Sequence, residues 1–454
     1  MDFTTLVSNQ KTYFNTGVTK TYAHRLAALK SLKQAIINFE PQIYQALYED
    51  LGKSKEEAFL TEIGLVLSEI SEAMKHLKSW MKPKRVKTPL VLFKATSKIY
   101  LDPLGTVLIL SPWNYPFQLA INPLVGAIAA GNTAIVKPSS SSEKTAIVID
   151  LMIKSVFEPV FVTTVLGSAV LAEKLLYEKV DHIFFTGSIP IGKKVMQIAS
   201  ENLTPVTLEL GGKSPCIIDE DTNIQMAAKR IAFGKLINAG QTCIAPDYVF
   251  IKPELKQSFV EYFKKYVKEF YGESPLESDH YPKIISAKHV ERLMGLTQNE
   301  QILLGGKTNG IKIEPTILDN ITFDSNVMKE EIFGPILPLI NYQNIDEVID
   351  VLRTKEKPLA FYLFTDNKAV QKKVLSSLSF GGGTVNDTLM HFANHHMGFG
   401  GVGHSGMGNY HGIRSYQTFT HEKSVLIRSM KIDLPLRYHP INKASDNIIR
   451  RILK

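Results

Sequence analysis

The sequence predicts an α/β protein whose mainly parallel sheets are divided between two large domains. A chain of 454 residues is longer than one hydrophobic core usually serves. From Gly105 onward, short apolar runs rich in β-forming residues alternate with amphipathic runs of helical period. Such alternation is typical of right-handed β–α–β crossovers and a parallel sheet. The composition, 44% hydrophobic and 21% charged, is that of an ordinary globular protein.

The first hundred residues precede this alternation and have a different sequence pattern. Apolar residues at three- and four-residue spacing predict helices over 22–52, with an interruption at Pro41, and over 58–81. The stretch 88–105, "TPLVLFKATSKIYLDPLG", is richer in β-formers and predicts a hairpin.

Strands and helices then alternate from residue 105 to residue 212, and three of the strand-to-helix turns carry polar residues or glycine. These turns are "SPWN" at 111–114, "VKPSS" at 136–140 and "FTGS" at 185–188. In parallel sheets ligands bind beyond the carboxyl ends of the strands. The sequence therefore predicts a ligand site at this edge.

A second α/β domain is expected after Gly211, because the alternation resumes from "SPCIIDE" (214–220) to "ILPLINY" (336–342). The later stretch 415–429, "SYQTFTHEKSVLIRS", is strand-like and is expected to pair with the hairpin near residues 90–101. That pairing would bring together two basic strips, one from Lys75 to Lys98 and one from Lys423 to the C-terminus.

Charge and cysteine content narrow the class of protein. The net charge is +8, but neither basic strip interleaves aromatics or carries a zinc-finger pattern, so no nucleic-acid partner is expected. The two basic strips are interpreted as solvated surface, with weak membrane-surface contact as the alternative. Two cysteines exclude a disulfide framework and a structural zinc cluster, and we expect a cytoplasmic protein. The opening residues lack a signal-peptide pattern, and no apolar run has the length of a membrane span.

Two glycine-bearing segments could hold a dinucleotide. Gly401, Gly403 and Gly406 match the G-x-G-x-x-G spacing, but no strand precedes them and no helix follows, so we interpret the segment as a flexible loop. The pair Gly187–Ser188 is better placed, between a β-rich run and a helical run that begins near Gly192. Open N–H groups there could bind a phosphate, although an ordinary turn is an equal alternative.

Cys243 in "GQTCIAPDY" is the candidate nucleophile, because no apolar run surrounds it, whereas Cys216 lies in an apolar strand and is expected in the core. Asn114 could donate its amide to a developing oxyanion, or simply cap a turn. Glu209, an acid inside an apolar strand, could activate water or face solvent. The histidines show no carboxylate orienter and no metal-ligand pattern, so no metal is expected.

Seven motifs, taken together in order, resemble the signatures of the aldehyde dehydrogenase superfamily, and the resemblance spans nearly the whole chain. They are "SPWNYP", "GNTAIVKPS", "FTGS", "LELGGKSP", "GQTC", "EEIFGPILP" and "FGGVGHSGMGNYHG". The forms "GQTCIAPDY", "GGGTVNDTLMH" and "SGMGNYHG" resemble the class-three branch, which oxidises fatty and aromatic aldehydes.

The resemblance implies that this chain oxidises medium- or long-chain aliphatic or aromatic aldehydes to carboxylic acids with NAD or NADP. Cys243 would form a thiohemiacetal and then a thioester, Asn114 would bind the oxyanion, and Glu209 would activate the hydrolytic water. Tyr115, Thr242 and Ile244 flank Cys243 or Asn114 and would line the substrate channel. The implied cofactor-binding residues are Trp113, Lys137, Ser140, Gly187, Ser188, Gly192, Glu331 and Phe333.

Three positions depart from the family pattern. Ser140 stands where many relatives carry a glutamate that binds the adenosine ribose, and losing that carboxylate favours acceptance of NADP alongside NAD. Gly398 replaces a usual proline, and Ile189 stands where a threonine often follows "FTGS". Neither of these two is expected to touch the chemistry.

The family resemblance also implies a domain plan and a homodimer. Residues 1–82 and 102–208 would form a Rossmann-like cofactor domain, and 209–411 the catalytic domain. Residues 83–101 and 412–435 would form a small β arm that joins two subunits, followed by a C-terminal tail, 436–454. Two alternatives stay open: transfer of the acyl group to coenzyme A instead of water, and a catalytically silent structural relative.

Overall fold

The computed structural model describes residues 2–433 and 438–453. The helices are α1 (Phe3–Asn15), α2 (Tyr22–Leu51), α3 (Lys55–Ala58), α4 (Gly64–Trp80), α5 (Gln118–Ala130), α6 (Glu143–Lys154), α7 (Ala169–Leu176), α8 (Ile189–Glu201), α9 (Ile224–Leu236), α10 (Pro253–Tyr271), α11 (Ala287–Leu296), α12 (Ile345–Arg353), α13 (Lys368–Ser377), α14 (Ile413–Thr418) and α15 (Lys443–Leu453). The strands are β1 (Lys84–Val86), β2 (Ala95–Pro103), β3 (Thr106–Leu110), β4 (Thr133–Lys137), β5 (Val162–Thr164), β6 (His182–Gly187), β7 (Val206–Leu210), β8 (Pro215–Ile218), β9 (Tyr248–Ile251), β10 (Gln301–Leu304), β11 (Thr316–Asp319), β12 (Ile336–Asn341), β13 (Ala360–Phe364), β14 (Gly382–Val385), β15 (Gly406–Met407) and β16 (Thr420–Arg428).

The first large sheet has the strand order β15-β7-β6-β3-β4-β5, and every pair in it except β15–β7 is parallel. Its central strands are continuous runs of buried residues, as expected where helices cover both faces. Strands β3, β4 and β6 are adjacent, so the three polar turns predicted from the sequence meet at one edge. The α/β prediction is confirmed for this half of the chain.

The second large sheet has the order β10-β11-β12-β9-β8-β13-β14, with only the edge strand β10 antiparallel to its neighbour. Cys216 on β8 is 0% exposed, so its predicted core position is confirmed. The predicted second α/β unit is therefore present, and its helix α9 leads directly to the segment that contains Cys243.

A separate three-stranded sheet, β1-β2-β16, forms the arm. Strand β16 pairs with β2 along its whole length, from Thr420 opposite Pro103 to Arg428 opposite Ala95. The predicted pairing of the strand-like stretch 415–429 with the hairpin is confirmed, and it brings the two basic strips together. The described residues do not include residue 1, residues 434–437 or residue 454. The last two of these belong to the predicted arm and tail.

Two sequence predictions are wrong in detail. Helix α2 continues through Pro41 instead of being interrupted there, because Pro41 lies on an exposed face where water can hydrate the carbonyl that it leaves free. The segment around Gly403 is not a flexible loop: Gly406 pairs with Glu209 as part of β15, and a side chain at Gly406 would collide with the Leu208 carbonyl oxygen.

One irregular helical turn bears on the site. Residues Phe59–Ile63, between α3 and α4, form a π-helical turn. Such turns widen a helix locally and occur often at functional sites. Among the described residues, no helix is both long and apolar enough to cross a membrane.

Candidate active site

Cys243 lies in a cavity of about 220 Å³ whose walls are almost entirely apolar. The predicted substrate residues Tyr115, Thr242 and Ile244 line this cavity together with Glu209. The structure therefore brings these side chains together from three separate segments of the sequence. The other lining residues are Leu60, Thr61, Leu65, Gln118, Leu119, Thr186, Leu210, Phe233, Ile237, Leu359, Leu389, Met390, Phe392, Ala393, Phe399 and Tyr410.

The loop that carries Cys243 is held in an unusual backbone conformation. Asn238 and Ala239, the second and third residues after α9, have φ angles of 52° and 51°, in the left-handed region. Gly240 follows with φ 74°, and a side chain there would collide with the Gly334 carbonyl oxygen. Strained backbone of this kind persists only where its surroundings fix it, and it clusters at functional sites. The tight turn brings Cys243 to the cavity wall.

Asn114 is tied directly to the nucleophile loop. Its Nδ2 donates a hydrogen bond to the Gln241 carbonyl oxygen at 3.0 Å, while Asn238 Nδ2 donates to the Asn114 carbonyl oxygen at 2.8 Å. Beside them, the hydroxyls of Tyr115 and Thr242 share a hydrogen bond of 2.6 Å. One amide N–H of Asn114 has no protein acceptor among the described residues. The amide is thus fixed in orientation with one donor left for a ligand.

The surroundings of Cys243 favour the neutral form of its thiol. Burial raises its pKa, and the nearby negative charges of Glu331 and Glu209 raise it further. A neutral thiol is a weak nucleophile, so attack requires the loss of its proton. Glu209 lines the same cavity, where it can take a proton from water.

Glu209 is buried on β7, with 2% of its surface exposed. Neither carboxylate oxygen has a hydrogen-bond partner among the described residues. Burial raises the pKa of Glu209 well above its usual value, because the charged form is poorly solvated there. The alternative of a solvent-facing edge carboxylate is wrong, since β15 covers that edge of β7.

The carboxyl ends of β3, β4 and β6 form a second, polar part of the site. Lys137 ends β4, and its Nζ donates to the Gly167 carbonyl oxygen at 2.7 Å; burial lowers its pKa. Ser188 precedes α8 without using its hydroxyl to cap that helix, and helix α8 begins at Ile189, earlier than Gly192. The buried hydroxyls of Ser111 and Thr186 also have no partner among the described residues. Open helix N–H groups and free hydroxyls fit a phosphate-bearing cofactor.

Trp113 and Phe333 meet across the cleft between the two sheets. Their rings are 5.4 Å apart and nearly perpendicular, although 220 positions separate them in the sequence. Phe333 has φ 53°, and the neighbouring Glu331 lies against Gly211, where a side chain would collide with its carboxylate. Burial raises the pKa of Glu331 to about 8. Gly192 packs on Leu210, whereas Ser140 is exposed beyond β4.

Three charged residues of this cleft were not singled out from the sequence. Lys213 donates to Asp247 and to the carbonyl oxygens of Val327 and Glu330, at 2.8 to 2.9 Å. Asp247 in turn accepts from the Ile332 N–H, and Arg292 donates to the Ile332 carbonyl oxygen. These contacts fix the loop that carries Glu331 and Phe333. The signal available in the sequence was the charge of Lys213 and Asp247 inside the motifs "GGKSP" and "APDY".

The prediction that no histidine has a carboxylate partner is wrong for His395. His395 Nδ1 is hydrogen-bonded to Glu69 at 2.9 Å, and this contact raises the pKa of His395. The sequence could not show the pairing because 326 positions separate the two residues. His411 lies beside them: one carboxylate oxygen of Glu69 and one ring nitrogen each of His395 and His411 all lie within 4.8 Å of one another. Glu69 also accepts from the Gly412 N–H and the Ser415 hydroxyl, so we interpret the cluster as a hydrogen-bonded anchor for the loop 386–399.

Comparison with known proteins agrees with this geometry. The sequence profile of the aldehyde dehydrogenase family matches residues 2–425. The chain is 48% identical to the 4,4'-diaponeurosporen-aldehyde dehydrogenase of Staphylococcus aureus over 95% of each chain. It is 40% identical to the dimeric NADP-preferring aldehyde dehydrogenase of Canis lupus familiaris, over 96% of this chain and 97% of that protein. The solved substrate-bound state of Staphylococcus aureus AldH superposes with a TM-score of 0.97, at 47% identity and 99% coverage of each chain.

Proposed function

Because this chain belongs to the aldehyde dehydrogenase family and oxidises aldehydes with NAD or NADP, we propose that Cys243 is its nucleophile and Glu209 its general base. The observation that carries the proposal is the shared cavity: the thiol and a buried carboxylate without a partner among the described residues line one small apolar chamber. Asn114, fixed against the nucleophile loop, completes the catalytic set.

The proposed reaction proceeds in two halves on Cys243. The sulfur attacks the aldehyde carbonyl carbon as the thiol proton is released to solvent, and Asn114 Nδ2 and the Cys243 N–H bind the resulting oxyanion. Bound NAD(P) supplies a hydride acceptor, so the carbon is oxidised and a thioester remains. Glu209 then takes a proton from water as the hydroxide equivalent adds to the thioester, and it passes that proton to the departing sulfur, so the acid and the thiol are released. The balance is aldehyde, water and NAD(P)⁺ to acid, NAD(P)H and a proton.

The proposed substrates are medium- or long-chain aliphatic or aromatic aldehydes. The chamber of about 220 Å³ is smaller than the roughly 300–1,000 Å³ of typical ligand pockets, so it encloses only the reacting end of a long chain. Leu60 and Met390 line the chamber and are also exposed, and they extend the apolar surface to its mouth. A relative whose name gives a carotenoid-type aldehyde supports the same apolar class.

The proposed cofactor residues follow the polar edge and the cleft. Lys137 would bind the adenosine ribose, Gly187, Ser188, Gly192 and Trp113 would border the pyrophosphate, and Glu331 and Phe333 would bind the nicotinamide ribose and ring. Because Ser140 is exposed and uncharged, it would not repel a 2′-phosphate, which supports use of both NAD and NADP.

The proposed assembly is a homodimer joined through the arm. Strand β16 is the outer strand of the arm sheet and exposes Leu426 and Ile427, and a relative is named as dimeric. We further propose weak contact with anionic membrane surfaces through α15, which exposes Ile448 and Leu453 beside Arg450 and Arg451. A thiol nucleophile suits the reducing cytoplasm. The domain boundaries given above stand as part of this proposal.

Replacement of Cys243 tests the proposal directly. In Cys243→Ala, nicotinamide reduction with hexanal, a long-chain aldehyde and benzaldehyde should fall by at least about 10⁴-fold, because the covalent route is lost. Cys216→Ala, which removes the buried cysteine of β8, is the matched control and should keep near-normal rates. Full activity in Cys243→Ala would contradict the assignment.

A further inference from the structure

A buried ion pair lies beneath the turn that carries Asn114. Lys53 Nζ and Glu62 Oε1 are 2.6 Å apart, and both side chains are 0% exposed. Neither residue lines the substrate cavity, and neither is close to Cys243 in sequence. Burying two charges costs desolvation free energy, and apolar residues of similar volume often stabilise a protein equally well. Stability alone therefore does not account for this pair.

The pair contacts four of the five residues from Asn114 to Gln118. Lys53 Nζ donates to the Asn114 carbonyl oxygen at 3.2 Å and lies 4.0 Å from the centre of the Tyr115 ring. Glu62 Oε2 accepts the backbone N–H groups of Phe117 at 2.8 Å and Gln118 at 3.2 Å. These are open donors at the start of α5, which a carboxylate satisfies well.

The local helix geometry supplies Glu62 to this position. Glu62 belongs to the π-helical turn Phe59–Ile63, whose Leu60 and Thr61 line the substrate cavity. The same turn therefore contributes part of the cavity wall and the carboxylate that binds the start of α5. Lys53, two residues before α3, supplies the cation of the pair.

We propose that the Lys53–Glu62 pair is a positioning unit for the oxyanion site: it fixes the backbone of residues 114–118, so that the Asn114 amide meets the aldehyde oxygen. The inference rests on the proposed role of Asn114. The Asn114 carbonyl oxygen accepts from Lys53 on one side and from Asn238 of the nucleophile loop on the other. The pair thus sets the position of Asn114 relative to Cys243 without touching substrate.

The experiment compares Lys53→Met/Glu62→Gln, which removes both charges together, with Lys256→Met/Asp319→Asn. The control pair is a less buried ion pair, at 2.8 Å, that lies away from the cavity. We expect kcat/KM for hexanal to fall about 10–100-fold in the first variant, because displacement of a catalytic group by about 1 Å costs up to about 10²-fold. The control should stay within about 3-fold of the parent, and the Kd for NADP should be unchanged in both.

The same substitutions in an Asn114→Ala background show whether the pair acts on the rate by positioning Asn114 or by a general effect on the fold. Asn114→Ala alone should lose about 10²–10³-fold in kcat, as for removal of an oxyanion donor. Adding the pair substitution should then cost less than about 3-fold, because its route through Asn114 is gone. An equal loss in both backgrounds, or a folded pair variant with normal kcat/KM, would overturn the proposal. Normal kcat in Asn114→Ala alone would instead remove the oxyanion assignment, and the positioning role with it.

A charge-conserving variant covers failure of the double variant to fold. Lys53→Arg keeps the charge opposite Glu62 but replaces the Nζ contact with Asn114 by a bulkier fork. It should keep the melting temperature of the parent while kcat falls about 5-fold or more, and that fall should vanish in the Asn114→Ala background. Unchanged kcat, or a fall that persists without Asn114, would overturn the positioning role.

Discussion

Asn114 and Glu209 both lie near the carboxyl edge of the six-stranded sheet, yet their polar atoms have opposite surroundings. The carbonyl oxygen and amide of Asn114 are engaged by Lys53, Asn238 and Gln241. Both carboxylate oxygens of Glu209 are buried without a partner among the described residues. The group proposed to bind an oxyanion is held rigid, whereas the group proposed to take up and release protons is left unsatisfied. The difference indicates where stability has been given up for chemistry.

Between these two groups, replacing the unsatisfied carboxylate of Glu209 should have the larger effect on rate and should not harm the fold. In Glu209→Gln we expect kcat to fall about 10²–10⁴-fold, the usual contribution of a general base. The melting temperature should rise, because an amide removes a buried charge. Since the folded-state pKa of Glu209 is raised, the wild type loses stability as pH rises above the normal carboxyl pKa, and the advantage of the variant should grow with pH. Steady-state kinetics and thermal melts from pH 5 to pH 9 measure both. A lower melting temperature at every pH would contradict the account.

Removing a hydrogen bond that holds Asn114 should lower both the catalytic rate and the stability of the fold. Asn238→Ala removes the amide that bonds Asn114 and Gln241, and it also places alanine at a φ of 52°. We expect a loss of about 1–3 kcal/mol in the free energy of unfolding and about 10–100-fold in kcat.

Asn238→Gly is the matched control, because glycine adopts this φ without strain but also lacks the amide. It should recover part of the stability and none of the rate. If Asn238→Gly restored kcat, backbone strain and not the hydrogen bonds would position Asn114.

The smallest expected effect is on stability, through His395 in the loop 386–399. The pKa of His395 is raised by its hydrogen bond to Glu69, so the ion pair stabilises the folded state fully below about pH 6.5 and less as pH rises through the folded-state pKa. His411, whose pKa burial lowers to about 4, stays neutral over this range. His395→Asn should therefore cost about 1 kcal/mol at pH 6 and less at pH 9 in chemical unfolding. An equal cost at both pH values would show that the charge of His395 contributes nothing.

The sequence predicted more of the rigid scaffold than of the network that holds the site. Strand and helix periodicity located β3 to β7 and the three polar turns, because burial on both faces leaves continuous apolar runs. The family is confirmed, while the catalytic roles that its motifs predict for Cys243, Glu209 and Asn114 stay predictions. Periodicity could not reveal that α2 passes through Pro41, since a proline on an exposed face costs little.

Pairings between distant segments were beyond the sequence for a different physical reason. Lys53 and Glu62 are buried charges in a helical stretch whose spacing resembles that of ordinary surface residues, and only the tertiary fold buries them. Glu69 and His395 are likewise far apart along the chain. Contacts of this kind depend on which segments pack together in the fold, and local sequence patterns do not show that packing.

We propose that Glu209 completes a reaction that begins on Cys243. The most direct test of this proposal is mass spectrometry of Glu209→Gln after incubation with hexanal and NAD. We predict a hexanoyl adduct on the peptide that contains Cys243, labile to hydroxylamine as a thioester, together with one equivalent of NADH per active site. The wild type treated in the same way should show no lasting adduct. A Glu209→Gln protein that releases hexanoic acid at the wild-type rate, or that carries its adduct on another residue, would contradict the account.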